Sequence, residues 1–427
     1  NRPCSGATGR SHLSGARWET LVVRRVGAGL GALLAFSGLL VVGGRVGGAA
    51  AASRPVFPGC STAVAPGPML SDTARFASVQ GSPFGVVTVA GGRFTFVSSD
   101  GSGAGGLVEV FPGDGMGGAP VVTIPVVGGA PAGIALAEGG RVLLVAADAS
   151  LSLIDVAAAE RGSSGAVVAS VQTPGSEAIE VGVTPDGRFA LVSMETSAQV
   201  DVFRLHGEAS PSFVGEVRVG MAPVGMAFSP DGRTAYVTSE VAGHVRPSRT
   251  GAGGSLRLTT QGQTGTLSVL DVSKMEQDPR GAVIRTVDAG CSPVPVAVSL
   301  GGRTVWVTAR GSDAVLGFSA RALASGSGAL VAVVDVGAAP VGLALVDGGG
   351  RLIVADSNRF GTGSSASLAV LDTSAALAGG PALLGYLPAG GFPREMTVGG
   401  GGSTLLVTNY DSGQLEAVPV APLASRD

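Results

Sequence analysis

The sequence predicts an all-β fold, a single seven-bladed β-propeller of four-stranded antiparallel blades. Three observations carry this reading. A short pattern recurs seven times: two turn residues, usually an arginine, then a run of apolar and β-branched residues. Successive copies lie 45 to 52 residues apart, with one step of 70, which is the period of a four-stranded blade. With 71 glycines and 45% apolar residues among 427, the chain suits many short strands joined by tight turns.

The seven copies are marked by Gly91-Gly92-Arg93, Gly139-Gly140-Arg141, Asp186-Gly187-Arg188, Asp231-Gly232-Arg233, Gly301-Gly302-Arg303, Gly349-Gly350-Arg351 and Gly401-Gly402-Ser403. The fourth copy illustrates the strands. Residues Val224 to Ser229 form the first, and Pro230-Asp231-Gly232-Arg233 is a turn in which glycine supplies φ > 0. Thr234 to Thr238, Leu267 to Val272 and Val283 to Val287 follow as the second, third and fourth. First strands are built of small residues because they crowd at the centre. The last copy stops after a third strand, Gln414 to Val420, while Arg75 to Val79 precedes the first copy as an orphan strand. That orphan is expected to complete the last blade and so cover an open edge.

The domain reading is a signal peptide or N-terminal anchor at 1–52, a linker at 53–70 and the propeller at 71–427. Arg24 and Arg25 precede an apolar run to Val42, and Ala49-Ala50-Ala51-Ala52 offers a small-residue cleavage site. The expected location is therefore exported: extracellular, periplasmic or cell-surface. Residues 1–52 hold six arginines and one glutamate. Removing them from 28 basic and 31 acidic residues leaves a net charge of −8. An acidic, apolar-rich chain excludes disorder and argues against a nucleic-acid partner. Any membrane contact is expected only through an uncleaved N-terminal segment. Cys60 and Cys291 are the cysteines beyond the leader, and outside the cytoplasm they can pair.

The stretch Pro230-Asp231-Gly232-Arg233-Thr234-Ala235-Tyr236-Val237-Thr238 resembles the YVTN-type propeller repeat. In the last blade, Gly391-Phe392-Pro393-Arg394-Glu395-Met396 followed by Leu405-Leu406-Val407-Thr408-Asn409-Tyr410-Asp411-Ser412 resembles the terminal blade of the seven-bladed lactonase-like family. That resemblance implies the propeller fold, and for some members the opening of 6-phosphogluconolactone. The family's enzymes tend to carry a Pro-Arg-His strand start in a middle blade. The middle blades here begin Ser176-Glu177-Ala178-Ile179 and Ala222-Pro223-Val224-Gly225.

Candidate site residues come from position within the repeat. The turn after each second strand is expected on the same face as the entry to each first strand. Aligning the seven copies puts Asp100, Asp148, Glu195, Glu240, Arg310, Asp356 and Asn409 at equivalent places there, an acidic ring with Arg310 as its only cation. Such a ring would concentrate field and attract cationic groups, although Asp and Asn in turns also cap backbone. Deeper in the channel, a first-strand glycine position (Gly85, Gly133, Gly225, Gly342) becomes Glu180 and Glu395, beside Arg394.

Two functions are expected. The leading one is a non-enzymatic, monomeric module that binds a protein or small ligand through the acidic face. The alternative is a lactone hydrolase in which Arg394 holds an anionic group and Glu180 or Glu395 serves as general base. The alternative expects these three side chains within hydrogen-bond reach of one another. Of the three histidines, His12 falls in the leader, His206 follows a strand and His244 opens an insertion at 243–265. The insertion carries Arg246, Arg249 and Arg257 and reads either as a lid or as a polar loop. No motif calls for a cofactor or a metal.

Overall fold

The computed structural model describes residues 55–424, apart from 61–63, 72, 102–104, 208, 243–247, 250–255, 258–261, 327 and 362–364. The leader expected at 1–52, with His12, and most of the insertion, with His244 and Arg246, lie outside the described residues. Among the described residues no helix is long and apolar enough to cross a membrane.

Seven antiparallel four-stranded sheets follow one another in chain order. Their first strands are Pro83–Thr88, Pro131–Ala137, Ala178–Val183, Met221–Phe228, Pro293–Val298, Pro340–Val346 and Pro393–Gly399. In the seventh sheet, Arg75–Ser78 pairs with the third strand, Gln414–Pro419, so the N-terminal strand supplies the missing fourth. The ring thus closes as the orphan strand implies.

The same local chemistry recurs in several blades. In the Pro-Asp-Gly-Arg turns, Asp186 and Asp231 accept from Thr184 Oγ1 and Ser229 Oγ at 2.6 Å, and from the amides of Arg188 and Arg233. The glycines that follow, Gly187 and Gly232, sit at φ +74° and +70°. Asp155, Asp271 and Asp372, which end third strands, cap short helices by accepting from Ala158, Lys274 and Ala375 amides.

The centre is governed by close approach. A Cβ on Gly85 would lie 2.8 Å from the Ala132 carbonyl oxygen of the next first strand, and one on Gly342 would overlap the Arg394 carbonyl. A hydroxyl on each second strand spans the same seam. Ser98, Ser193, Thr238, Thr308 and Thr408 donate to the carbonyls of Ala132, Val224, Val294, Val341 and Phe84 in the following blade. The same hydroxyls accept first-strand amides of their own blades, including Gly85, Glu180, Gly225 and Glu395. Blades two and six have Ala146 and Ala355 at this position. The blades that follow them are the two whose first strands carry Glu180 and Glu395.

A strap precedes the closing strand. Cys60 and Cys291 form a disulfide. Beyond it, Leu70 N donates to Tyr386 O and Tyr386 N donates to Pro68 O, so this segment runs along the outer strand of blade six, Leu383–Pro388.

The Thr408 hydroxyl bridges the seam between the last blade and the first, accepting from Glu395 N at 3.0 Å and donating to Phe84 O at 2.7 Å. Thr408→Val is therefore expected to cost about 2 kcal/mol in urea unfolding, the order expected when buried polar groups lose a partner. Thr408→Ser should retain most of the wild-type stability.

Candidate functional site

Strand register decides which side chains face the channel mouth. The second-strand residues opposite Pro83, Pro131, Ala178, Pro223, Pro293, Pro340 and Pro393 are Ser99, Ala147, Met194, Ser239, Ala309, Asp356 and Asn409. The next residue along is Asp100, Asp148, Glu195, Glu240, Arg310, Ser357 or Tyr410. The expected ring is therefore corrected at two places, because Asp356 and Asn409 stand one residue too early. On a strand, one step turns a side chain to the other face. Asp356 is buried and accepts from Ser367 Oγ and the Gly337 amide. Asn409 Nδ2 donates to Glu416 Oε2 at 2.8 Å. Asp100, in register, accepts from Ser82 N at 2.8 Å and so takes part in the backbone capping expected of such turns.

Two adjoining cavities open at this face. The smaller, of about 130 Å³, is lined by Glu195, Glu240, Arg310, Arg359, Arg394 and Glu395 above first-strand residues Ile179, Val224, Val294, Pro295 and Val341. Arg394 occupies the first-strand position that is apolar in the other six blades. The larger, of about 470 Å³, is lined by Asp100, Asp148, Glu177, Glu195, Tyr410, Phe84 and Arg394 among others. Arg310 is thus not the only cation. Arg359 and Arg394 join it, and the expected acidic face is a mixed site.

The charges are arranged unequally. Arg310 donates through Nη2 to Glu240 Oε2, and both side chains are buried. Among the described residues, no carboxylate lies within ion-pair distance of Arg359 or Arg394. Aromatic faces hold them instead. The Arg394 guanidinium lies 3.5 Å from the Phe84 ring centroid, with Phe392 and Tyr410 at 5.5 and 5.6 Å. Arg359 lies 5.5 Å from Phe360 and 5.3 Å from Phe392. Such contacts stabilise a cation without neutralising it. Arg394 Nε is buried and has no acceptor among the described residues.

Burial shifts the titrations. Glu195 is pushed up to about 7, first by desolvation and then by the negative charges of Glu240 and Glu177. Arg359 keeps contact with solvent, yet desolvation and the like charges of Arg310 and Arg394 pull it down to about 10. Arg394 is lowered by burial, against the pull of Glu395.

The three residues of the hydrolytic alternative share the channel without meeting in a hydrogen bond among the described residues. Burial, then the neighbouring Glu395 charge, pushes Glu180 well above the usual carboxylate range. Its Oε1 accepts from its own next amide, Val181 N, at 3.1 Å. Glu395 is likewise raised by burial, with Arg394 opposing. Glu180 packs where Gly133 leaves room for it and lines neither cavity.

Residues missed in the sequence are Arg359, Glu177, Phe84 and Tyr410. Tyr410 follows Asn409, so correct register would have found it, whereas Arg359 lies two residues beyond the register position, Ser357, and register alone would not have found it. His206 Nε2 lies 3.0 Å from Ser212 Oγ on an exposed strand pair and belongs to neither cavity.

Comparison with known proteins agrees with this architecture. The family model described as lactonase, 7-bladed beta-propeller matches residues 78–359, ending before the last-blade motif around Arg394. No curated protein matches the sequence. Among solved structures, a Kuenenia stuttgartiensis hydrazine synthase aligns with a TM-score of 0.62 at 16% identity, over 81% of this chain and 97% of that one. The Cps50 (Swd1) β-propeller domain from Myceliophteria thermophila aligns with a TM-score of 0.57 at 13% identity, over 82% of this chain and 99% of that one. At these identities the two likenesses show the fold alone.

Glu240 forms a buried ion pair with the Arg310 guanidinium at the cavity wall, so Glu240→Gln should destabilise the protein by about 3 kcal/mol, as expected when one member of a buried ion pair is removed. Thermal and urea unfolding would check this. An unchanged midpoint would mean that the pair is already well solvated.

Proposed function

Because the chain belongs to the lactonase, 7-bladed beta-propeller family, and because two arginines without carboxylate partners face its channel mouth, we propose that it is an exported propeller that binds a small anionic, oxygen-rich ligand there. The observation that carries this reading is the arrangement of Arg359 and Arg394 around the smaller cavity. Arg394 is largely enclosed and has no carboxylate at ion-pair distance among the described residues, which is costly. An anion entering the cavity offsets that cost, with the more exposed Arg359 at its edge. Planar guanidinium groups suit carboxylate or phosphate oxygens. Export is part of the proposal, supported by the apolar leader and by the Cys60–Cys291 disulfide, a bond that persists in oxidising compartments.

A lactone hydrolase is the second reading. Family membership favours it, as does a carboxylate, Glu195, that titrates near neutral pH beside Arg394 and Arg310. Arg394 would hold an anionic group, with Glu395 or Glu195, which line the same cavity, as base on water. A 6-phosphogluconolactone hydrolysis assay on wild type and Arg394→Ala separates the readings. Turnover lost in the variant supports the hydrolase, and no turnover in either leaves binding.

The binding reading has a signed pH dependence. A charged Glu195 repels an incoming anion, and it loses that charge as pH falls through about 7. Affinity for a probe such as citrate, measured by calorimetry, is expected to rise several-fold from pH 8 to pH 6. Arg394→Gln should weaken binding at least about tenfold, the scale of a lost charge-assisted hydrogen bond. Affinity that rises with pH, or that ignores the Arg394 change, would rule the reading out.

A further inference from the structure

We propose that the ligand of this site is a zwitterion, a small molecule with a carboxylate at one end and an ammonium at the other. This rests on the anion-binding reading above and extends it to the second cavity.

The two cavities share Ile179, Glu195 and Arg394, so they form one continuous lining. Their charge balance differs. The smaller cavity holds Arg310, Arg359 and Arg394 with three glutamates. Glu240 is paired with Arg310, and burial pushes Glu195 and Glu395 up to about 7, so the arginines prevail there at and below neutral pH. The larger holds Asp100, Asp148 and Glu177, with Glu195 at the junction. The acidic end is not a cluster standing alone, because Arg394 points into the same space with its buried Nε lacking an acceptor among the described residues.

The two ends also differ in solvation. Arg310 is 7% exposed, whereas Asp148 and Glu177 are exposed to solvent at the rim. A ligand of two signs therefore has one favourable orientation. Its carboxylate enters first and settles against Arg394 and Arg359 beside the buried Arg310, and its ammonium stays near the open, acidic end. A simple anion satisfies the inner end but passes the carboxylates of the outer end at an electrostatic cost. A simple cation meets the opposite difficulty at the arginines. The zwitterion is the charge pattern that both ends accept, which is specificity by exclusion as well as by attraction. The apolar walls supplied by Ile179 and Phe84 suit a short methylene chain between the two groups.

The test uses the full chain and matched probes of equal length in calorimetry: 4-aminobutyrate, butyrate and butylamine, with 6-aminohexanoate and hexanoate as a longer pair. At least one aminocarboxylate is expected to bind tenfold or more tightly than its matched carboxylate, and butylamine not to bind. Glu177→Gln and Asp148→Asn, both at exposed positions that folding tolerates, should remove that preference without weakening carboxylate binding, which should hold or rise as the repulsion is lost. Arg394→Gln should weaken both classes, with a melting curve confirming that the variant folds. Equal affinity for aminocarboxylates and carboxylates, or a preference that survives Glu177→Gln and Asp148→Asn, overturns the zwitterion and leaves the anion site standing. Absence of binding by every probe and by citrate overturns both.

Discussion

The close approach of seven first strands around one axis is the constraint on which the rest of the structure depends. It requires residues without side chains at the seams, which is why Gly85, Gly225 and Gly342 face the backbone of the next blade. It also brings a second-strand hydroxyl within reach of the neighbouring carbonyl, and five blades use that bridge. The bond joins blades directly, so the ring is stitched at its centre as well as closed at its edge by Arg75–Ser78.

Departures from this rule mark the channel's chemistry. Blades two and six carry alanine in place of the hydroxyl, and the first strands after them carry Glu180 and Glu395. Arg394 stands where the other blades have Phe84, Ala132, Ile179, Val224, Val294 and Val341. A repeat protein can place polar groups at its axis only by giving up a local packing element, and these are the places where that has happened. The resulting site is polar and partly enclosed. Its electrostatics follow from enclosure: carboxylates are pushed toward neutrality while the guanidinium groups stay charged.

The fold was legible in the sequence because its determinants are local and repeated. The Asp-Gly turns, the small first strands and the orphan strand at Arg75 each report a backbone requirement that only a few residue types meet. The site was legible only in part. Glu195, Glu240, Arg310, Arg394 and Glu395 line the smaller cavity as their repeat positions imply. Asp356 and Asn409 resemble ring members in chemistry but sit one residue early in register, and the two-residue period of a strand turns that slip into the opposite face. Arg351 contributes to the slip, since it opens its strand (Arg351–Asp356) whereas Arg93 and Arg303 precede theirs. The convergence of Arg359 with Arg394 depends on the ring bringing blades six and seven together, and no spacing in the chain encodes that.

The central claim is that the channel mouth holds an anion against arginines the protein itself leaves uncompensated. Calorimetric titration of citrate near pH 7, repeated in two buffers of different ionisation enthalpy, tests it most directly. The account predicts saturable one-to-one binding with net proton uptake, because an anion beside Glu195 raises a carboxyl that already titrates at about 7. Proton release on binding, or binding of the same strength in Arg394→Gln, would contradict it.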